Sequence, residues 1–226
     1  MYESKAPIVS VIDYGMGNLF SVEQACLRIG FKTKITSKKK DIMNSDAAIL
    51  PGVGAFGDAM SNLKKLGLIR TIIDFTKSSK PLMGICLGMQ LLFSESEEFG
   101  IHTGLDIIKG RVVKFLVGND QGIKVPQVGW NRIWKPIFLH SDRWLKSPLG
   151  SNADGEFMYF VHSFYCKPDS NDAVLSITKY AGIEYCSSLL HKNIFASQFH
   201  PEKSGEAGIK IYERFKDLIS RDVLND

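Results

Sequence analysis

Apolar residues along this 226-residue chain change their spacing partway, from short continuous runs to shorter, interrupted ones. Pro7-Ile-Val-Ser-Val-Ile-Asp13 is apolar and β-branched, the pattern of a strand buried on both faces. Tyr14-Gly-Met-Gly-Asn18 then reads as a turn. From there Val22, Ala25, Cys26 and Ile29 share one helical face, and Gly30 closes the helix. Phe31 to Thr36 and Asp46 to Leu50 predict two more strands. A helical region runs from Asp58 to Lys77, with a break expected near Gly67. Pro81 to Ile85 is another apolar run, and the helix-prone stretch Leu87 to Phe93 follows at once. Helices alternating with short buried strands predict a parallel sheet covered on both faces.

Past this point Arg111 to Val117, Gln127 to Trp134, Phe157 to Cys166, Ala173 to Lys179 and Glu184 to Leu190 are short strand-like runs separated by Gly, Asn, Asp and Pro. They predict antiparallel hairpins added to the sheet. Ser147 to Gly155 reads as loop. Ile194 to Phe199 predicts a last buried strand, leading into His200-Pro-Glu202. An amphipathic helix from about Gly205 to Leu218 closes the chain, with Ile209, Tyr212 and Phe215 among its apolar positions. The fold class expected is α/β: a doubly wound, mixed but mostly parallel sheet with helices on both faces and added antiparallel hairpins. No repeat or linker divides the chain, so residues 1–226 are expected to form one domain.

Composition narrows the function classes. The net charge of +4 is mild, and the lysines are scattered apart from Lys38-Lys39-Lys40, which reads as a solvated loop. No nucleic-acid motif accompanies the charge, so no nucleic-acid partner is expected. Cys26, Cys86, Cys166 and Cys186 form no C-x-x-C pair and read as reduced thiols of a cytosolic protein. Met1 to Ala6 carries both charges and no apolar core, so no secretory leader is expected. No apolar run approaches the length of a membrane span.

The chemistry centres on Lys80-Pro-Leu-Met-Gly-Ile-Cys-Leu-Gly-Met-Gln90. A strand, a sharp turn at Cys86 between Gly84 and Gly88, and a helix make the thiol form of a Gly-x-nucleophile-x-Gly elbow. The helix N-terminus beside the sulfur is expected to favour the thiolate. The pentapeptide by itself fits a buried cysteine between packing glycines equally well. A nucleophilic cysteine needs a base and the base an orienting group. Five histidines compete. His102 sits among Gly100, Thr103 and Gly104 and reads as solvated, while His140 and His191 lie in turn-like settings. His162, inside an apolar run, fits a sheet histidine or a pocket wall. His200 ends an apolar strand, and Glu202, two residues on, projects to the same side of an extended chain, where it can fix the ring's tautomer. Taken alone, His-Pro-Glu fits a surface turn with a local ion pair. Cys86, His200 and Glu202 offer no paired spacing for zinc, and no metal is expected.

Pro51-Gly-Val-Gly-Ala-Phe-Gly57 resembles a phosphate cradle but lacks the Lys-Ser/Thr of a P-loop and the G-x-G-x-x-G spacing of a dinucleotide site. Its glycines suit a loop whose backbone N–H groups hold an anion or developing oxyanion. It fits a plain strand-to-helix turn as well.

Pro51-Gly-Val-Gly54, Gly84-Ile-Cys-Leu-Gly-Met-Gln90 and Gln198-Phe-His-Pro-Glu-Lys203 together resemble the three signature stretches of class I (triad-type) glutamine amidotransferases. Asp13-Tyr-Gly-Met-Gly-Asn18, the run to Asp58, Leu91-Leu-Phe93 with Glu95, Glu97 and Glu98, Gly129-Trp-Asn131 and Tyr159-Phe-Val-His-Ser163 resemble, more narrowly, the glutaminase subunits of imidazole glycerol phosphate synthases. The resemblance implies that Cys86 attacks the glutamine side-chain amide, His200 moves the protons and Glu202 orients the imidazolium. It implies oxyanion donors at Leu87 and at Gly52 or Val53, the second needing a peptide flip that a partner triggers. Gln90, His162 and Ser163 match positions lining the glutamine pocket. Asn18, Trp130, Tyr159 and Lys203 match positions facing a separate (β/α)8-barrel cyclase subunit, which would form a heterodimer with this chain and take its ammonia in histidine biosynthesis. No cofactor is implied. One stretch departs from the family: Lys124-Val-Pro-Gln127-Val-Gly-Trp-Asn131 carries glutamine where the pattern has histidine. Gln127 cannot carry charge or shuttle a proton. It leaves the hydrolysis untouched and opens a second acceptor, a sugar amidotransferase of surface-polysaccharide synthesis. A cysteine peptidase or esterase on a similar fold, or a binding module with a buried Cys86, are the other classes the residues allow.

Overall fold

A computed structural model describes residues 6–116 and 124–221. Met1 to Lys5 and Val117, which carried parts of the leader and strand expectations, lie outside the described residues.

Apart from a short helix between its second and third strands, the first half alternates as its apolar pattern predicts. It runs through β1 (Ile8–Ile12), α1 (Leu19–Arg28), β2 (Lys32–Thr36), α2 (Lys39–Asn44), β3 (Ala47–Leu50), α3 (Phe56–Lys65), α4 (Leu68–Lys77) and β4 (Leu82–Ile85). The α3–α4 break falls at Gly67, whose φ of +67° is the left-handed conformation glycine adopts without strain. Next come α5 (Leu87–Gln90), β5 (Phe93–Ser96), β6 (His102–Thr103), β7 (Ile108–Lys114), β8 (Gln127–Ile133), α6 (Ser141–Lys146), β9 (Glu156–His162) and β10 (Phe164–Pro168). β11 (Val174–Tyr180), β12 (Ile183–His191), β13 (Ile194–Ser197) and α7 (Gly205–Arg221) complete the described chain.

The main sheet has the order β2-β1-β3-β4-β13-β12-β10-β7-β5-β6, with β11 also paired to β12. β2 through β13 in that order are mutually parallel, and most of the remainder is antiparallel. Alternate residues feed two cores. Val9, Val11, Ile49, Met83, Ile85 and Phe195 pack with α1 and α7 on one face. Ala48, Leu50, Leu82 and Ala196 pack with α3 and α4 on the other. This is the doubly wound arrangement, since strands buried on both sides must be apolar throughout. α7 seals its face with Ile211, Tyr212 and Phe215, while the expected Ile209 is only half-buried.

Three expectations need correction. The helix after the elbow is one turn, not a run to Phe93. The carbonyls of Leu91, Leu92 and Phe93 accept from the N–H groups of Leu105, Ile107, Ile108 and Asp106, and Phe93 opens β5. The predicted strand Phe157 to Cys166 is two strands in different sheets: β9 pairs only with β8, and β10 joins the main sheet. β7 begins earlier than predicted because Phe93 and Ile108 pair across the β5–β7 ladder. α2, α6, β5 and β6 were not anticipated, being too short for their periodicity to register, and α2 takes Lys39 and Lys40 out of the expected loop.

β3, β4 and β13 are parallel neighbours, with Leu50 opposite Gly84 and Ser197 opposite Ile85. Their carboxyl ends therefore lie side by side, where doubly wound sheets place their sites. Gly88 seals this edge, for a Cβ there would collide with the Leu50 carbonyl oxygen. Gly88→Ala is expected to lower stability by about 3 kcal/mol through overpacking. Urea unfolding with an unchanged denaturant slope reads that loss.

Candidate active site

Three loops leave this edge: Pro51–Gly54 after β3, Cys86 after β4, and Gln198–Glu202 after β13. The Cys86 N–H donates to the Ser197 carbonyl at 2.7 Å, tying the first turn of the elbow to the third loop. Cys86 itself has φ 53° and ψ −109°, a conformation that costs a non-glycine residue about 1–3 kcal/mol. Glycine relieves that strain. Cys86→Gly is therefore expected to be more stable than Cys86→Ala by about 1 kcal/mol in urea unfolding, reversing the usual order of the two residues. α5 has only four residues, so its dipole at the sulfur is shorter than the sequence suggested.

His200 is buried, and its backbone N–H donates to the Tyr159 carbonyl at 2.9 Å. Its Nδ1 lies 2.7 Å from Oε1 of Glu202, and both side chains are almost wholly inaccessible. The sequence placed Glu202 on the same side of an extended strand. The chain instead makes one 3-10 turn over Pro201–Lys203, and that turn carries the carboxylate to Nδ1. With Nδ1–H held by Glu202, Nε2 is left for other work, and it has no hydrogen-bond partner among the described residues. Burial alone would lower the His200 pKa. The negative sulfur of Cys86 and the Glu202 carboxylate outweigh it and hold the ring up at about 10. His200 and Cys86 thus face each other across the site and sense each other's charge.

The Pro51 loop is fixed from below. Tyr14 donates its hydroxyl to the Pro51 carbonyl at 2.8 Å, and burial, helped by the charge of Cys86, pushes that phenol well up. Gly52 packs so closely on Tyr14 and Leu87 that no side chain fits there. Val53 and Leu87 line the same cavity as Cys86.

That cavity, about 310 Å³, is also lined by Gln90, Glu98, His162 and Ser163. A larger cleft of about 750 Å³ lies beside Lys77, His191 and Asn193, near the opposite strand ends. No cysteine lines it among the described residues, so we assign the site to the smaller cavity, which holds Cys86. Glu98 accepts from the Phe56 N–H at 2.7 Å. Its place in the pocket was missed in the sequence, where it is one of three nearby glutamates. Gln198 was missed too: buried completely, it donates from Nε2 to the Cys86 sulfur at 3.6 Å.

His162 has Nδ1 2.8 Å from the Phe164 carbonyl and Nε2 3.2 Å from the Tyr185 hydroxyl. Burial first, and the nearby His200 second, drop its pKa to about 4 against the opposing Phe164 bond. The folded protein keeps this ring neutral while the unfolded chain protonates it below about pH 6.5. Its contribution is therefore present above pH 6.5 and lost as pH falls to about 4, amounting to about 3 kcal/mol. Unfolding free energy measured from pH 7 to 4 is expected to show that loss, and His162→Gln to reduce it. Gln127 pairs across β8–β9 with His162 and accepts from Tyr185 at 3.0 Å. The departure from the family pattern thus falls on a buried residue behind the pocket wall.

Trp130 and Tyr159 are cross-strand neighbours with ring centroids 6.1 Å apart at 76°, and Lys203 Nζ lies 6.0 Å from the Tyr159 ring. Trp130 is 55% exposed. Asn18 caps α1, its side chain accepting from the Ser21 N–H at 3.3 Å. His102 is not solvated as expected: it pairs in β6, half-buried against Gly57.

Residues 10–217 match the family model described as glutamine amidotransferase class-I. The chain is 46% identical over 213 residues to imidazole glycerol phosphate synthase subunit HisH of Caldanaerobacter subterraneus subsp. tengcongensis, covering 94% of this chain and 98% of that one. It is 45% identical over 210 residues to the protein of the same name from Sulfurimonas denitrificans, covering 92% and 97%. Among solved structures, PurLQS from Thermotoga maritima superposes with a TM-score of 0.68 at 18% identity, covering 94% of this chain and 99% of that one. A glutamine amidotransferase from Thermotoga maritima gives 0.58 at 14% identity, covering 96% and 86%. At such identities these two speak for the fold alone.

Proposed function

The chain belongs to the class I glutamine amidotransferases, and from that premise we propose that it is the glutamine-hydrolysing subunit of an imidazole glycerol phosphate synthase, with Cys86, His200 and Glu202 as its catalytic residues. The observation that carries the chemical reading is the buried 2.7 Å Glu202–His200 contact beside a strained cysteine in a glutamine-sized cavity.

Each step follows from these groups. His200 holds the proton of Cys86, and the thiolate attacks the side-chain amide carbon of glutamine. The C–S bond forms as the carbonyl π pair moves onto oxygen. The Leu87 N–H, at the first position of α5, and an N–H from the Gly52–Val53 segment receive that oxyanion. Imidazolium gives its proton to the departing nitrogen, which leaves as ammonia, and a glutamyl thioester remains. Water, deprotonated by His200, then releases glutamate and returns the thiolate. Glu202 stabilises the imidazolium in both halves. Glu98 supplies the negative charge that suits the substrate's α-ammonium, and Gln90, His162 and Ser163 shape the remaining wall.

Ammonia passes to a (β/α)8-barrel cyclase subunit docked over Trp130, Tyr159 and Lys203, with Asn18 at the rim. The relatives at 45–46% identity are named as synthase subunits, which supports the same role here. We read residues 1–226 as one domain, working in the cytoplasm. Among the described residues no helix is long and apolar enough to cross a membrane.

The acceptor is tested with glutamine labelled with ¹⁵N at its amide, the cyclase barrel and its ribulosyl-phosphate nucleotide. The label is expected in the imidazole product. Label confined to free ammonia, with none in the product, contradicts this partner.

A further inference from the structure

The orientation of two buried amides follows from one backbone carbonyl. The Phe164 carbonyl can only accept, so the Gln90 side chain, 3.1 Å away, presents its NH2 there. The same NH2 lies 3.0 Å from the Gln198 side chain, so Gln198 turns its oxygen to Gln90. That leaves the Gln198 NH2 facing the Cys86 sulfur at 3.6 Å. Gln198 cannot swing away, being wholly inaccessible and held through its backbone N–H to the Ser187 carbonyl at 2.9 Å. Besides facing His200, the sulfur lies 3.9 Å from the Val161 carbonyl, to which only a protonated thiol can donate. Loss of the proton therefore breaks one contact and strengthens the other, since hydrogen bonds to charged acceptors are the stronger kind.

We propose that Gln198 is a further catalytic residue, an amide donor to the Cys86 sulfur that selectively stabilises the thiolate, and that Gln90 is the positioning residue that aims it. The bond acts twice: on the attacking thiolate, and on the thiolate expelled when the thioester is hydrolysed. A thioester sulfur is a poor acceptor, so the donor favours both states over the acyl intermediate.

The inference rests on Cys86 being the nucleophile. The test is alkylation of Cys86 by iodoacetamide as a function of pH, read by peptide mass on the full chain. Gln198→Met keeps the side-chain length and removes the donor. The pH of half-maximal alkylation is expected to rise by about one unit, with about tenfold slower alkylation at neutral pH. kcat for glutamine falls and KM changes little. Gln198→Glu, which sets a carboxylate against the sulfur, moves the midpoint further. Gln90→Met leaves the donor but unlocks it, and is expected to move the midpoint up by less. In the unmodified protein, a side-chain amide proton of Gln198 is expected to shift with pH at the same midpoint, a measurement that needs no Gln198 variant to fold. An unmoved midpoint in folded Gln198→Met, or an amide signal that ignores the titration, overturns the assignment of Gln198 alone. Failure of Cys86 to alkylate ahead of Cys26, Cys166 and Cys186 would instead overturn the nucleophile itself.

Discussion

Cys86→Ala is expected to lower glutamine hydrolysis by at least about 10⁴-fold while leaving the fold in place, because a nucleophile and its base act as a unit. The sulfur supplies the bond that splits one hard hydrolysis into two easier steps, and no other thiol lines the cavity among the described residues. The substitution removes one buried sulfur and keeps the β4–α5 backbone, so the surface at Trp130, Tyr159 and Lys203 should dock its partner as before. Steady-state glutamate release, measured beside a binding titration with the cyclase barrel, separates the two effects. Full binding with no hydrolysis is the expected result. Hydrolysis within tenfold of the unmodified rate would exclude Cys86 as nucleophile.

The second large effect belongs to Glu202→Gln, expected to cost about 10³-fold in kcat. Glutamine keeps the shape but loses the charge that helps hold His200 protonated at about 10. Its amide can also donate to Nδ1, which moves the ring proton to Nε2 and leaves no base facing the sulfur. The sign of the pH effect follows. A histidine raised above its unfolded value of about 6.5 contributes stability that is complete below that pH and lost as pH rises through about 10. Removing the carboxylate lowers the folded value, so the alkaline loss of stability and of imidazolium should begin at lower pH. Parallel pH profiles of kcat and of urea unfolding for the two proteins would show it. An unchanged kcat would make Glu202 a structural residue only.

Much of this was legible in the sequence, for definite reasons. Continuous apolar runs such as Ile8–Ile12 and Ala47–Leu50 could only be strands buried on both faces, and glycines marked where chain approaches chain. Cys86 and the His200-Pro-Glu202 stretch stood at strand ends, and a parallel sheet brings such ends together. What escaped was set by tertiary contact. After Cys86 the helix stops at one turn, and the carbonyls of Leu91 to Phe93 that follow it bond the 105–108 segment instead. Ser163 splits a single apolar run between two sheets. Gln198 and Glu98 matter through what folds beside them, and neither spacing nor residue type announces a glutamine that bonds a sulfur across 112 positions of sequence. Gln127 gave the opposite lesson. It departs from a family pattern in the sequence, yet in the fold it bonds Tyr185 behind the pocket wall.

If this chain makes ammonia from glutamine for a synthase partner, glutamate release from glutamine by the purified chain must respond to the cyclase barrel and its ribulosyl-phosphate nucleotide. A low rate alone is expected, with a marked rise with partner and nucleotide, and no release in either case with Cys86→Ala. No glutamate release in the presence of both would contradict that role.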